Sequence, residues 1–471
     1  MANATSYEQW AEAGREYDRV SGAEDWRLDL RSNDYDYALI TSRLNNIRLA
    51  RAAGDVKQLV FCLHEGLHGN LGNIANPELY KHSKVGTKYF ITEYLNEVCD
   101  ALDYICDNKF TELPLTEKLY FFESTAHAFG RTSLMLSGGA TLGMFHIGVV
   151  KALQQQGLLP KVISGSSAGS IIAAVVGTHT DDELLQVIDP HNLNLDAFRF
   201  VGWNSIVDSK AILSGDHLAE CLTMNIPDMT FEESFVKTGR YINMMISGYE
   251  KHQESRLMNA LTSPNVSVSQ ASLASCAVPW VFPPVSLTAK DYQGNALPYL
   301  SGRKWIDGSV SGDLPLKRLS RLFGVNHSIV SQTNPHVTPF MHRTDNPRGW
   351  SRKGYELLIR NFQMTASFLL KQAEQNVQSD QSVAVVNKVR SIVKQRYVGD
   401  INLIPPRSMG NLRRVFENPS PQLMDKFMVT GEAVTWPRIE MIRNSTQISR
   451  TFEACLDRLH QIEAEKLKPS S

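Results

Sequence analysis

Two glycine-rich turns, 27 residues apart, each lie between a short apolar run and a helix-like segment. The first is Gly138-Gly139-Ala140-Thr141-Leu142-Gly143, and the second is Gly165-Ser166-Ser167-Ala168-Gly169. Strand, sharp turn and helix form the context in which G-x-S-x-G is a nucleophile elbow. Small residues on both sides of Ser167 let the chain turn tightly. The helix that follows directs its partial positive charge at the turn. A serine hydroxyl is a weak nucleophile, so it needs a base for its proton and donors for the oxyanion. The first turn can supply donors, because no large side chain at Gly138, Gly139 or Ala140 blocks approach to the backbone N–H groups. That turn also nearly matches a dinucleotide loop, G-x-G-x-x-G, with Ala140 at the middle glycine. A dinucleotide site wants an acid about 20 residues further on, at the end of the next strand. Lys161-Val162-Ile163-Ser164 offers none, so the oxyanion reading is preferred.

The base is not given by a histidine motif. His146, His179, His327 and His336 lie in or beside the region, none in a recognisable pattern. Trp305-Ile306-Asp307-Gly308-Ser309 instead puts an acid at the end of an expected strand, before a glycine turn. An active-site carboxylate of an α/β fold belongs there, although Asp-Gly is also an ordinary turn signal.

The surrounding chain divides by pattern. Residues 1–130 read as a helical accessory domain. Asp55 is the expected N-cap of a helix carrying Val56, Leu59, Val60, Leu63 and Leu67, and 87–107 is a further amphipathic helix. Residues 131–335 alternate apolar runs with helical patterns, which predicts an α/β sheet. The expected strands are Ser133–Ser137, Lys161–Ser164, Tyr241–Ser247, Lys304–Ile306 and His327–Ser331, with a helix over Gly143–Gln156. Ser275–Ser286 is apolar and proline-rich, so it reads as a loop near the site. Residues 336–471 read as a mostly helical region. Its 343–396 segment carries ten Arg or Lys against four acids, a balance of +6, interleaved with Leu357, Phe362 and Phe368. A basic amphipathic segment suits a membrane surface or a helix packed on its neighbour.

Composition narrows the function classes. A formal net charge of −1 gives no global field for nucleic acid. No run of about 18 apolar residues predicts a membrane span, and the polar N-terminus lacks a secretory signal pattern. Six scattered cysteines without C-x-x-C fit a reduced, intracellular chain. His64-Glu65-Gly66-Leu67-His68 matches H-E-x-x-H, but Gly66 costs that helix about 1 kcal/mol, and the extended motif fails at Leu71 and Ile74. His191 and Asp196 match H-x-x-x-x-D, a spacing that thirteen histidines meet by chance. No metal or organic cofactor is expected.

Glycine loop, G-x-S-x-G and D-G together resemble the patatin-like phospholipase family. The resemblance implies a three-layer α/β/α catalytic domain and a Ser–Asp dyad in place of a triad. Ser167 is then the nucleophile, Asp307 the base, and Gly138, Gly139 and Ala140 the oxyanion donors. The chain departs from the family's D-G-G-G-x-R-G loop at Ser137, Ala140 and Leu142. Asp313 is the second choice of base, without an adjoining glycine. FGRTSLMLSGGATLG, ASCAVPWVFPPV, WIDGSVSGDLP and VSQTNPHVTPF are similar to the intracellular triacylglycerol lipases of plant oil bodies and yeast lipid droplets. That similarity implies a lipid acyl hydrolase on glycerolipids, cytoplasmic and peripherally bound to membrane or lipid droplets. The 343–396 region and the loop at 278–285 are the expected docking segments. The alternatives are a phospholipase A or lysophospholipase, a transacylase that passes the acyl group to an alcohol, and a catalytically silent lipid-binding protein. The sequence does not indicate an oligomeric state.

Overall fold

The computed structural model describes residues 1, 3–189, 191–194, 196–201, 211–250, 253–308, 314–334, 398–406 and 417–467. The basic segment 343–396, His336 and Asp313 lie outside them. Two compact units form. One comprises Met1–Thr132, Leu319–His327 and Thr435–Ser471, and the other Ser133–Arg318 and Ser328–Val434.

The first unit is helical: α1 (Tyr7–Ser21), α2 (Ala23–Leu28), α3 (Tyr37–Ala52), α4 (Val56–Gly66), α5 (Tyr89–Asp107) and α6 (Leu115–Phe129). Asp55 caps α4 by accepting from the Gln58 N–H, as its side chain and position predict. This unit draws on both the N-terminal and the C-terminal parts of the chain. The long helix Ile439–Leu467 packs on α5 and α6, burying Ile442, Phe452, Cys455 and Leu459. Phe452 meets Phe122 edge-on at 6.0 Å. An amphipathic helix buries its stripe wherever a matching face exists, and that face is on the N-terminal helices.

The second unit is built on a seven-stranded mixed sheet. Its strands are β1 (Arg131–Leu136), β2 (Val162–Gly165), β3 (Tyr241–Gly248), β4 (Arg256–Met258), β7 (Trp305–Asp307), β8 (Val325–Ser331) and β9 (Ile401–Leu403), in the order β4-β3-β2-β1-β8-β9. β5 (Thr288–Lys290) and β6 (Ala296–Pro298) make a separate hairpin. β1, β2 and β3 are parallel, with Leu136 opposite Gly165 and Gly165 opposite Met244. Their apolar runs are buried on both faces, as central parallel strands require. The crossover from β1 to β2 is α7 (Phe145–Gln155), preceded by a short 3-10 turn at Ala140–Met144.

All five expected strands form, with ends shifted by up to two residues. β4, β5, β6 and β9 are three residues each, too short for an alternating pattern to register. β7 differs in kind: it is antiparallel to β3 and lies off the main path, with Asp307 opposite Ile246.

Candidate active site

Ser167 stands at the turn between β2 and α8 (Ala168–Thr178), with φ +50° and ψ −124°. A β-carbon in this left-handed region costs about 1 kcal/mol or more, so its neighbours must hold it. The Ser167 N–H donates to Ser275 Oγ at 3.1 Å, and Ser170 Oγ donates to the Ser167 carbonyl at 2.6 Å. Ser275 belongs to the helix Val268–Cys276, which packs against α8. Gly169 admits the close crossing over β1, since a Cβ there would lie 2.2 Å from the Leu136 carbonyl oxygen.

Asp307 ends β7, is 1% exposed, and donates its backbone N–H to the Ala277 carbonyl at 3.0 Å. Pairing with β3 brings it to the cavity that Ser167 lines. Gly138, Gly139 and Ala140 line the same cavity, so the structure brings all five proposed site residues together. Ala140 has φ +48°, a left-handed conformation that glycine adopts without strain. Its methyl group is therefore a small cost built into this loop.

The cavity holds about 380 Å³, within the range for small-ligand sites. Its walls are mostly apolar: Ile171, Ile172 and Val175 from α8, Leu218 and Leu222 from the helix Gly215–Asn225, and Phe198 and Phe282 from loops. Its polar lining comprises Ser167, Asp307 and the glycine turn, with Asn194, Asn225 and Asn334. The walls were not legible from motifs, because they come from separate segments between Ile171 and Phe282. Only the i, i+4 spacing of Leu218 and Leu222 hints at a buried face.

Cys276 also lines the cavity. Burial, with the nearby Asp307 carboxylate second, pushes its thiol well above the ordinary range, so it stays protonated. No histidine among the described residues lines the cavity. His179 Nδ1 contacts the Val175 carbonyl at 2.8 Å, and His327 Nδ1 the Thr132 hydroxyl at 3.2 Å. His146 is fully buried, with Nδ1 2.7 Å from Ser331 Oγ and Nε2 2.9 Å from the Ser137 carbonyl. Burial lowers its pKa from 6.5 to about 4. The unfolded chain therefore binds a proton between these values that the folded chain does not. Stability is full above pH 6.5 and is expected to fall as pH drops toward 4, by up to about 3 kcal/mol. Denaturant unfolding at pH 7.5 and pH 4.5 measures this, and the loss should shrink in His146→Gln.

Other sequence patterns resolve into structure. α4 ends at Gly66, so His68 does not share a helix face with His64. His64 Nδ1 meets Thr125 Oγ1 at 2.8 Å, and Glu65 pairs with Arg43. Asp196 contacts His217 at 3.1 Å, while the backbone N–H of His191 donates to Asp189.

Residues 1–127 match DUF3336, a domain of unknown function, and residues 134–319 match patatin-like phospholipase. Triacylglycerol lipase SDP1L of Arabidopsis thaliana is 33% identical over 98% of this chain and 58% of its own length. Triacylglycerol lipase 4 of Saccharomyces cerevisiae is 34% identical over 94% of this chain and 51% of its own. The chain thus spans little more than half of these two relatives. Triacylglycerol lipase ptl3 of Schizosaccharomyces pombe is 32% identical over 98% of this chain and 96% of its own length. A serine elbow on a mixed sheet, a facing glycine turn and this full-length likeness agree: the chain belongs to the patatin-like phospholipase family.

Proposed function

We propose that this protein is a serine esterase that cleaves acyl esters of glycerolipids, triacylglycerol foremost, through Ser167 and Asp307. One observation carries the reading: the elbow serine, a buried aspartate and a glycine turn open onto one mostly apolar cavity. Asp307 takes the Ser167 proton as Oγ attacks the ester carbonyl. Amides of the Gly138–Ala140 turn stabilise the oxyanion. The intermediate collapses, the alcohol leaves with the proton from Asp307, and the acyl group remains on Ser167. Water then attacks the acyl carbonyl, giving its proton to Asp307, and the fatty acid leaves as Ser167 Oγ takes that proton back. The apolar walls suit an acyl chain, and the printed names of the relatives favour triacylglycerol.

The protein reaches such substrates by docking peripherally on a membrane or lipid-droplet surface in the cytoplasm. Phe200, Ile212 and Trp280 are 69%, 40% and 58% exposed. Backbone bonds from Ile212 N–H to Trp280 O and from Val201 N–H to Ile212 O tie their segments together beside the cavity walls Phe198 and Phe282. Among the described residues, no helix is long and apolar enough to cross a membrane.

The test is turnover of emulsified triolein, phosphatidylcholine vesicles and lysophosphatidylcholine by wild type, with Trp280→Asp in parallel. Triolein should be the preferred substrate, and Trp280→Asp should lose activity on the emulsion but not on a soluble short-chain ester. Dominant phospholipid turnover would refute the triacylglycerol preference. Absence of turnover on every ester would favour the silent lipid-binding alternative.

A further inference from the structure

We propose that Ser137, His146 and Thr333 are positioning residues: a buried clasp that fixes the glycine turn so that its amides face the cavity. This rests on reading Ser167 as the nucleophile and the turn as the oxyanion site. All three side chains are fully buried, as is Ser331. Ser137 Oγ donates to the Gly138 carbonyl at 3.0 Å and accepts the Thr333 N–H at 2.8 Å. Thr333 Oγ1 donates to the same Gly138 carbonyl at 3.2 Å. His146 Nε2 lies 2.9 Å from the Ser137 carbonyl and 3.3 Å from Thr333 Oγ1.

The tautomer follows from the partners. A carbonyl can only accept, so Nε2 carries the proton and Nδ1 accepts from Ser331 Oγ. Burial keeps the ring neutral at neutral pH, consistent with that arrangement. The carbonyls of Ser137 and Gly138 are therefore both drawn back into the protein. A trans peptide is planar, with C=O and N–H pointing in opposite directions. Holding those two carbonyls turns the Gly138 and Gly139 N–H groups away from the clasp, and both glycines line the cavity. Gly139 is required at the contact, since a Cβ there would lie 2.4 Å from Thr333 Oγ1.

The clasp also accounts for Ser137, where the family's loop pattern has an acid. The site needs one group that donates to a carbonyl and accepts from an amide. A hydroxyl does both, whereas a carboxylate only accepts and would face carbonyl oxygens without water. Sequence reading named Ser137 and His146 but did not link them to Thr333, because the three lie near 137, 146 and 333 and only the fold brings them together.

Thr333→Val keeps the side-chain shape and removes the hydroxyl, while Thr333→Ser keeps the hydroxyl. The readouts are kcat and KM on a soluble short-chain p-nitrophenyl ester and the rate of fluorophosphonate labelling. Removing an oxyanion donor costs about 100- to 1,000-fold, and misaiming it costs less. Thr333→Val should therefore lower kcat and labelling rate by about 10- to 100-fold with KM within about twofold. Thr333→Ser should return kcat to within about threefold of wild type. His146→Gln, measured in parallel, should show the same kcat-specific loss and stands in if Thr333→Val does not fold. Wild-type kcat in Thr333→Val, a loss confined to KM, or failure of Thr333→Ser to rescue would overturn the clasp. Absence of labelling in the folded wild type would instead remove the reading of Ser167 on which it stands.

Discussion

Ser167→Ala is expected to lower acylglycerol turnover by about 10,000-fold or more, because an acyl-enzyme has no route without the hydroxyl. The fold should be unaffected. The turn conformation of Ser167 is held through its backbone, by Ser275 Oγ on its N–H and Ser170 Oγ on its carbonyl. Alanine keeps the β-carbon and both of those contacts. The thermal midpoint should therefore match wild type while turnover of triolein and of a soluble ester vanishes together. Residual activity within tenfold of wild type would place the nucleophile elsewhere. A loss on triolein with the soluble ester spared would mean that Ser167 acts in binding and not in chemistry.

Asp307→Asn is the second large effect. Asparagine preserves size and the backbone bond to Ala277, but its amide cannot take the Ser167 proton. General-base contributions run from about 100- to 10,000-fold. With no histidine lining the cavity among the described residues, the upper part of that range is expected, in kcat and with KM little changed. Asp313→Asn serves as the internal comparison and should stay within about threefold of wild type. If Asp313→Asn carries the large loss and Asp307→Asn does not, the two carboxylates exchange roles.

How much of this was legible in the sequence depends on distance along the chain. Ser167 and its turn are set by five consecutive residues between an apolar strand and an apolar helix, so local chemistry suffices. Asp307 was also legible, but for a partly different reason than its position suggests. It ends a strand, yet β7 runs antiparallel on β3, and no local pattern distinguishes that from a parallel strand of the main sheet. The apolar cavity was not legible. Phe198, Leu218 and Phe282 meet only through tertiary packing, and each reads singly as an ordinary apolar residue. The same holds for the helix Ile439–Leu467, whose apolar stripe is plain but whose partners, α5 and α6, lie more than 300 residues earlier. Ala140 is a third kind of case. The missing glycine was visible, but its cost depends on the φ of +48° that only the structure gives.

The most direct measurement is a peptide map of the folded protein after fluorophosphonate labelling, with and without a triolein emulsion. The account predicts one adduct, on Ser167, formed more slowly when triolein competes for the site. An adduct on another residue, or none, would contradict it.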